Sequence, residues 1–403
     1  MKKIINITFI SLNYAPEDTA IGLYSTQWAE YLKEAGYNVT VVTAFPYYPK
    51  WEISKAYKNK NTFLKEETNG IKVLRYKQYV PKTPSFLKRI VHLTDFTIGS
   101  FINLFKIKEC DLVISIVPFT TSALLGYVQK KRFKAKSWMH IQDFEFDAAL
   151  QTGVGKKKNI VFSMLFRLEK WLFSKPDLSS TISRTMLKKL AKKSSSELYY
   201  MPNWIDDKKI DPNKSTIHPY LTSDKIKILY SGNIGDKQDW EVFIKFCKDI
   251  DQSRYEIIVV GDGSKKERVT QEIQHFENIK YYPPVPFDEL SNLLCSADIH
   301  ILFQKPEVVD TVMPSKVLGM MASSKPSIII GNKESEVKSI FEASGAGRYF
   351  SHYSKEIINC IDEIISDKDS LLQNGIKSRE YVIENFSKEK ILLKMHNKLQ
   401  EFK

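Results

Sequence analysis

An apolar run, Ser296-Ala297-Asp298-Ile299-His300-Ile301-Leu302-Phe303, passes through a loop to Pro314-Ser315-Lys316, and a helical stretch to Pro326 leads into a second apolar run, Ser327-Ile328-Ile329-Ile330. The order strand, loop, helix, strand describes a parallel crossover, which aims the helix start at the carboxyl edge of a sheet. The unpaired amides at such a start, the helix dipole and Lys316 beside them suit a phosphate. An ordinary crossover whose Pro314 only opens a helix carries the same pattern, so other segments must decide.

Four other segments place chemistry after strand-like runs. Asn13–Ser25 follows the first apolar run and ends at a helix start, where Gly22 lets backbone approach an anion closely. Ile226–Ser231 is followed by Gly232-Asn233-Ile234-Gly235-Asp236-Lys237-Gln238, two glycines and a lysine suited to neutralising a leaving diphosphate. Gly261-Asp262-Gly263 has the same permissive character and reads equally as a tight turn. His140-Ile141-Gln142-Asp143-Phe144-Glu145-Phe146-Asp147 sets an imidazole and three carboxylates at one strand end, a density that costs stability unless the groups are exposed or paired. Glu145-x-Asp147 is too short a match to name a metal site, and none is expected.

The elements that must position these residues alternate along the chain. Strand candidates are Ile4–Leu12, Asn38–Thr43, Lys72–Tyr76, Leu112–Ile116, Ala135–Ile141 and Leu178–Thr181 in the first half, and Ile226–Ser231, Tyr255–Val260, Ile279–Tyr282, Asp298–Phe303 and Ser327–Ile330 in the second. Helical stretches separate them, the pattern of doubly wound parallel sheets. A chain of 403 residues, 43% of them hydrophobic, fills two such domains. The expected division is 1–210, 211–385 and a C-terminal helix at 386–403 crossing back to the first domain, with Asp206–Ser223, polar and carrying Pro212 and Pro219, as the linker.

Composition narrows the setting. Cys110, Cys247, Cys295 and Cys360 lie far apart, which argues against a disulfide framework or a zinc site and favours a reducing cytosol. The start, Met1–Ile10, reads as a buried strand rather than a signal peptide. Residues 1–210 carry 34 Lys and Arg against 18 Asp and Glu, while residues 211–403 carry 26 against 29. The basic half therefore suits an extended anionic surface, nucleic acid or a bilayer leaflet. Pro84–Lys108 is apolar, aromatic-rich and edged by cations, but Lys88, Arg89, His92 and Asp95 interrupt it too often for a spanning helix. It reads as a core helix or as one lying in the headgroup region, and the two are compatible if one face stays exposed.

Taken together, the Pro16–Gly22 loop, Gly36–Thr43, His140-Ile141-Gln142-Asp143, Pro202-Asn203-Trp204-Ile205-Asp206, Tyr230–Lys237, Gly261-Asp262-Gly263 and Pro314–Ala322 resemble, in order, the segments of two-domain GT-B retaining glycosyltransferases of family 4. Ala44–Pro49, Ser231–Gly235 and Met313–Lys316 are most similar to the branch of colanic-acid-type fucosyltransferases and N-acetyl-L-fucosaminyl transferases of capsule and O-antigen assembly. The resemblance implies two Rossmann-like domains facing a cleft, with His140, Asp143 and Lys237 as catalytic residues. It further implies donor contacts from Gly22, Gly232, Asn233, Gly261, Val285, Pro314, Ser315 and Lys316. Two family glutamates are replaced by Thr311 and Gly319, for which Glu307 or Asp310 would substitute, and Asn233 stands where an arginine is common. The implied partners are a nucleotide-sugar donor, a polyprenyl-diphosphate-linked saccharide and the inner leaflet of the plasma membrane; no cofactor, metal or nucleic acid is implied. The rival readings are a sugar-nucleotide epimerase of the same architecture and a catalytically inactive sugar-nucleotide-binding scaffold. A nucleic-acid-binding protein lacks any recognised module here.

Overall fold

Strands apolar on both faces need helices on both sides, and Leu112–Val117 and Tyr255–Val260 are buried at every position. The computed structural model describes residues 5–18, 20–83, 85–117, 120–144, 160–308 and 315–401. It divides into two compact units, residues 1–202 with 392–403, and residues 203–391. The boundary thus falls before the expected 210, and the C-terminal return begins at Leu392 rather than 386.

The first unit holds β1 (Asn6–Ile10), α1 (Ala20–Glu34), β2 (Asn38–Ala44), β3 (Phe63–Thr68), β4 (Ile71–Tyr76), α2 (Phe86–Leu104), β5 (Leu112–Val117), α3 (Thr120–Phe133), β6 (Lys136–Ile141), α4 (Ile160–Phe173), β7 (Leu178–Thr181), α5 (Arg184–Ala191) and β8 (Glu197–Tyr200). Its sheet runs β3-β4-β2-β1-β5-β6-β7-β8, parallel but for the β3–β4 hairpin. That hairpin was not expected from the pattern, because β3 (Phe-Leu-Lys-Glu-Glu-Thr) is a half-exposed edge strand without clean alternation. Its signal was the turn instead: Asn69 and Gly70 both have positive φ, the two-residue connection that fits strand twist.

Alternation along β1 separates the two faces. Phe9 meets Trp28 of α1 edge to face at 5.5 Å, whereas Ile10 joins a core with Leu93 and Phe96 of α2 and Leu125 of α3. Right-handed crossovers from β4 to β5, β5 to β6 and β6 to β7 all advance in one direction, so α2, α3 and α4 form one layer opposite α1. Beside α1 lies the C-terminal return, where Trp28 Nε1 donates to Met395 Sδ (3.2 Å) and Lys398 pairs with Glu197 (2.5 Å).

The second unit contains β9 (Ile226–Ser231), α6 (Trp240–Asp249), β10 (Tyr255–Val260), α7 (Lys266–Ile273), β11 (Ile279–Tyr282), α8 (Leu290–Cys295), β12 (Ile299–Phe303), α9 (Ser315–Ala322), β13 (Ser327–Ile330), α10 (Glu336–Ser344), β14 (Gly347–Phe350), α11 (Glu356–Ser366), α12 (Lys368–Phe386) and the start of α13 (Lys388–Glu401). Its all-parallel sheet runs β11-β10-β9-β12-β13-β14.

The expected linker is not one. Ile210 and Leu221 are buried in the second core, and the backbone amides of Asp211, Thr216 and His218 donate to Ser291, Asn292 and Ser296 at 2.8–3.0 Å. Backbone amides of this stretch, with the Ser215 hydroxyl, bond to α8 and the residue after it. Among the described residues, no helix is long and apolar enough to cross a membrane.

Candidate functional site

In the second unit the strand order reverses between β9 and β12, so the loops leaving their carboxyl ends diverge and create the place where open α/β sheets take ligands. The loop after β9 bends immediately: Gly232 sits at φ +131°, where a side chain is strained, and its amide donates to Val260 O at 2.8 Å. Gly261, after β10, lies so close that an added Cβ would fall 1.9 Å from Gly232 O. Glycine at 261 lets the two loops touch. Ile234 N then donates to Asp262 O (2.8 Å), which ties the loops further out.

Lys316, in the first turn of α9, folds over this glycine pair. Its Nζ donates to Tyr230 Oη (2.8 Å) and Asn233 O (3.1 Å) and stands 4.7 Å from the Tyr230 ring centroid. A Cβ at position 232 would lie 2.4 Å from Lys316 Cε, so Gly232 also makes room for the lysine. Burial lowers the Lys316 pKa to about 7. Tyr230 is the residue that sequence reasoning missed. Fully buried on β9, it reads as core, yet its hydroxyl donates to Asn233 O at 2.7 Å while accepting from Lys316. Its signal was a phenol hydroxyl two residues before Gly232, where a buried tyrosine needs a hydrogen-bond partner.

The remaining donor-side residues fall around this centre. Lys237 is exposed, and its loop is stapled to the end of β12 through Lys305 N to Lys237 O (3.1 Å) and Asp239 N to Phe303 O (3.1 Å). Glu307 is exposed in the turn after β12. Val285, after β11, packs partly buried on the second core. At position 319 a Cβ would meet Leu294 Cδ1 at 3.2 Å. Asp310, Thr311 and Pro314, like Glu145 and Asp147, lie outside the described residues; of Ser315 the structure gives the helix start alone.

In the first unit the structure encloses two of the expected site residues. His140 is a core group: Nδ1 bonds Ser180 Oγ at 2.8 Å, Nε2 faces Gln142 Nε2 at 3.0 Å, and the ring meets Trp28 edge to face. Burial drives its pKa down to about 3, so it is neutral and poorly suited to proton transfer. At Gly22 an added Cβ would lie 2.8 Å from both Cβ and O of Glu17, so the position has no room for a side chain. Its missing side chain lets the loop fold on itself. That loop is organised by the buried Glu17 carboxylate, which accepts from the amides of Tyr47 and Tyr48 and from Asn13 Nδ2, each at 2.8 Å. Asp143 follows the end of β6, partly buried. Among the described residues no group of three or more His, Cys, Asp or Glu is gathered to hold a metal ion.

Two doubly wound units, the second with glycine-lined loops and lysines at its switch point, define a GT-B architecture. The model of the family "Glycosyl transferases group 1" matches residues 214–388. Over 415 aligned residues the chain is 31% identical to WcaI of Escherichia coli, a protein assigned as a colanic acid biosynthesis glycosyl transferase, covering 98% of this chain and 100% of that one. The chain belongs to the group 1 glycosyltransferases. Among solved structures it is similar in fold to sucrose-phosphate synthase from Thermosynechococcus elongatus (TM-score 0.76, 16% identity, 98% of each chain). A second likeness is to HepE of Anabaena in complex with UDP and glucose (TM-score 0.70, 11% identity, 98% of this chain and 100% of that one).

Proposed function

We propose that this glycosyltransferase moves N-acetyl-L-fucosamine or a related deoxy-amino sugar from a UDP-linked donor to a lipid-diphosphate-linked saccharide in capsule or O-antigen synthesis. The observation that carries the donor half is the pair of touching glycine loops roofed by Lys316, with Lys237 at the same sheet edge. Such a cradle offers backbone amides and cations where a diphosphate would gather charge. The WcaI relationship supports a role in extracellular polysaccharide assembly, and the UDP complex of HepE supports a uridine nucleotide.

The chemistry is a substitution at the anomeric carbon. Its bond to the β-phosphate oxygen breaks through an oxocarbenium-like state, an acceptor hydroxyl bonds to the same face, and the hydroxyl proton passes to the departing phosphate. Lys237 and Lys316 would stabilise the charge on that leaving group, and no metal is required for this role. The neutral, enclosed His140 favours assistance by the phosphate itself over an imidazole base. The polyprenyl-diphosphate acceptor would be held by the basic first unit at the inner leaflet of the plasma membrane.

Calorimetry with UDP and GDP, with and without EDTA, tests the donor half. UDP binding that ignores EDTA and weakens in Lys237→Ala and Lys316→Ala is expected. Nucleotide binding without turnover would instead favour a sugar-nucleotide-binding scaffold that has lost catalysis, and failure to bind either nucleotide would overturn the donor reading.

A further inference from the structure

The outward faces of α2 and α4 carry apolar side chains where a helix layer over a sheet is ordinarily polar. On α2, Ile98, Phe101, Ile102 and Phe105 recur along one stripe, with Phe101 42% and Phe105 58% exposed. On α4, Leu168 (45%) and Trp171 (43%) belong to a second stripe. The two helices share a layer with α3, which joins them at both sides: Arg132 lies over the Phe105 ring and donates to Leu104 O at 2.6 Å, while Tyr127 meets Trp171 at 5.3 Å. The stripes therefore belong to one surface.

Its charge is one-sided. Lys131 stands over Tyr127 and Lys175 over Trp171, cations set beside aromatic rings at the edge of the apolar area. In α2, α3 and α4 the acidic residues are Asp95 and Glu169 alone. Asp95 is engaged by Tyr76 Oη (2.9 Å) and Tyr79 N (2.6 Å), and the buried Glu169 by Lys193 (2.6 Å). Apolar and aromatic side chains edged by Lys131, Arg132 and Lys175 match the acyl boundary and anionic headgroups of a bilayer.

We infer that α2 and α4, joined through α3, form a docking surface for an anionic bilayer, so that the partner engages two helices and not the α2 segment alone. This rests on the lipid-linked acceptor reading for its purpose, but its evidence is independent of the donor site.

The test is cosedimentation of the full chain with vesicles of phosphatidylcholine mixed with phosphatidylglycerol, against vesicles of phosphatidylcholine alone. Binding is expected to the anionic vesicles, weakened at high salt and reduced about tenfold both by Phe101→Ser with Phe105→Ser and by Leu168→Ser with Trp171→Ser. UDP calorimetry on the same variants should match the parent chain, which shows them folded and separates failure of this surface from failure of the donor reading. No binding to anionic vesicles, or binding that either pair leaves intact, would overturn the two-helix surface. A dimer in sedimentation equilibrium that the same substitutions dissociate would assign the face to a second copy of this chain and also overturn it.

Discussion

Lys316 Nζ lies 2.8 Å from Tyr230 Oη, so a lysine on the first turn of α9 is held by a buried tyrosine on β9 across the central glycine pair. Burial lowers the pKa of Lys316 to about 7. A phosphate arriving beside it favours the ammonium and raises that pKa. Above about pH 7, nucleotide binding should therefore take up a proton, and affinity should fall as pH rises; below it the amine is already charged and affinity should level off. Calorimetry in buffers of different ionisation enthalpy measures the uptake, which Lys316→Met should abolish.

Tyr230→Phe removes one oxygen and leaves the ring in its contact with Trp240 at 5.1 Å. Two hydrogen bonds disappear, one restraining Asn233 and one restraining Lys316. A stability loss of about 1–2 kcal/mol is expected. UDP affinity should fall roughly tenfold, about 1.4 kcal/mol. Unchanged affinity would make Tyr230 a core residue and nothing more.

Gly261→Ala puts a methyl group where Gly232 O already stands, 1.9 Å away. The β9 and β10 loops must separate, at a cost of ~3 kcal/mol. Thermal unfolding followed together with UDP binding should show both impaired, whereas an equivalent change at Gly345, where an added Cβ meets nothing within 4 Å, should cost backbone strain without touching nucleotide affinity.

Lys237 differs from these in being exposed. Lys237→Ala should lower turnover by at least about 100-fold, the scale of a lost transition-state charge contact, with stability changed by less than ~0.5 kcal/mol. Steady-state kinetics beside a melting curve distinguishes this from a structural role.

His140 binds a proton only after unfolding over the range from its ordinary pKa of 6.5 down to about 3. Stability of the first unit should consequently decline as pH falls through that range, because the unfolded chain takes up the proton that the native imidazole refuses. Melting temperatures of His140→Gln should decline less steeply between about pH 6 and pH 4.

The sheets were legible because parallel strands buried on both faces are largely apolar runs, as in Leu112–Val117 and Tyr255–Val260. Edge pieces such as β3 and β14 were not, since half-exposed short strands have no such pattern. At the candidate site, Gly232, Gly261 and Lys316 were marked by type and by position after strands. Their arrangement was decided by tertiary structure: residues 232, 261 and 316 meet only when β9 and β10 pair and α9 returns to the sheet edge. The same contacts gave Tyr230 a polar task that its apolar neighbours concealed. In the first unit, packing encloses His140, with Ser180 and Gln142 beside its two nitrogens. Residue types along the chain determined the two doubly wound units and where glycines and cations would stand. Which of those groups face a ligand depended on burial and hydrogen-bond partners brought from distant segments, because desolvation and orientation are properties of the packed chain and not of local sequence.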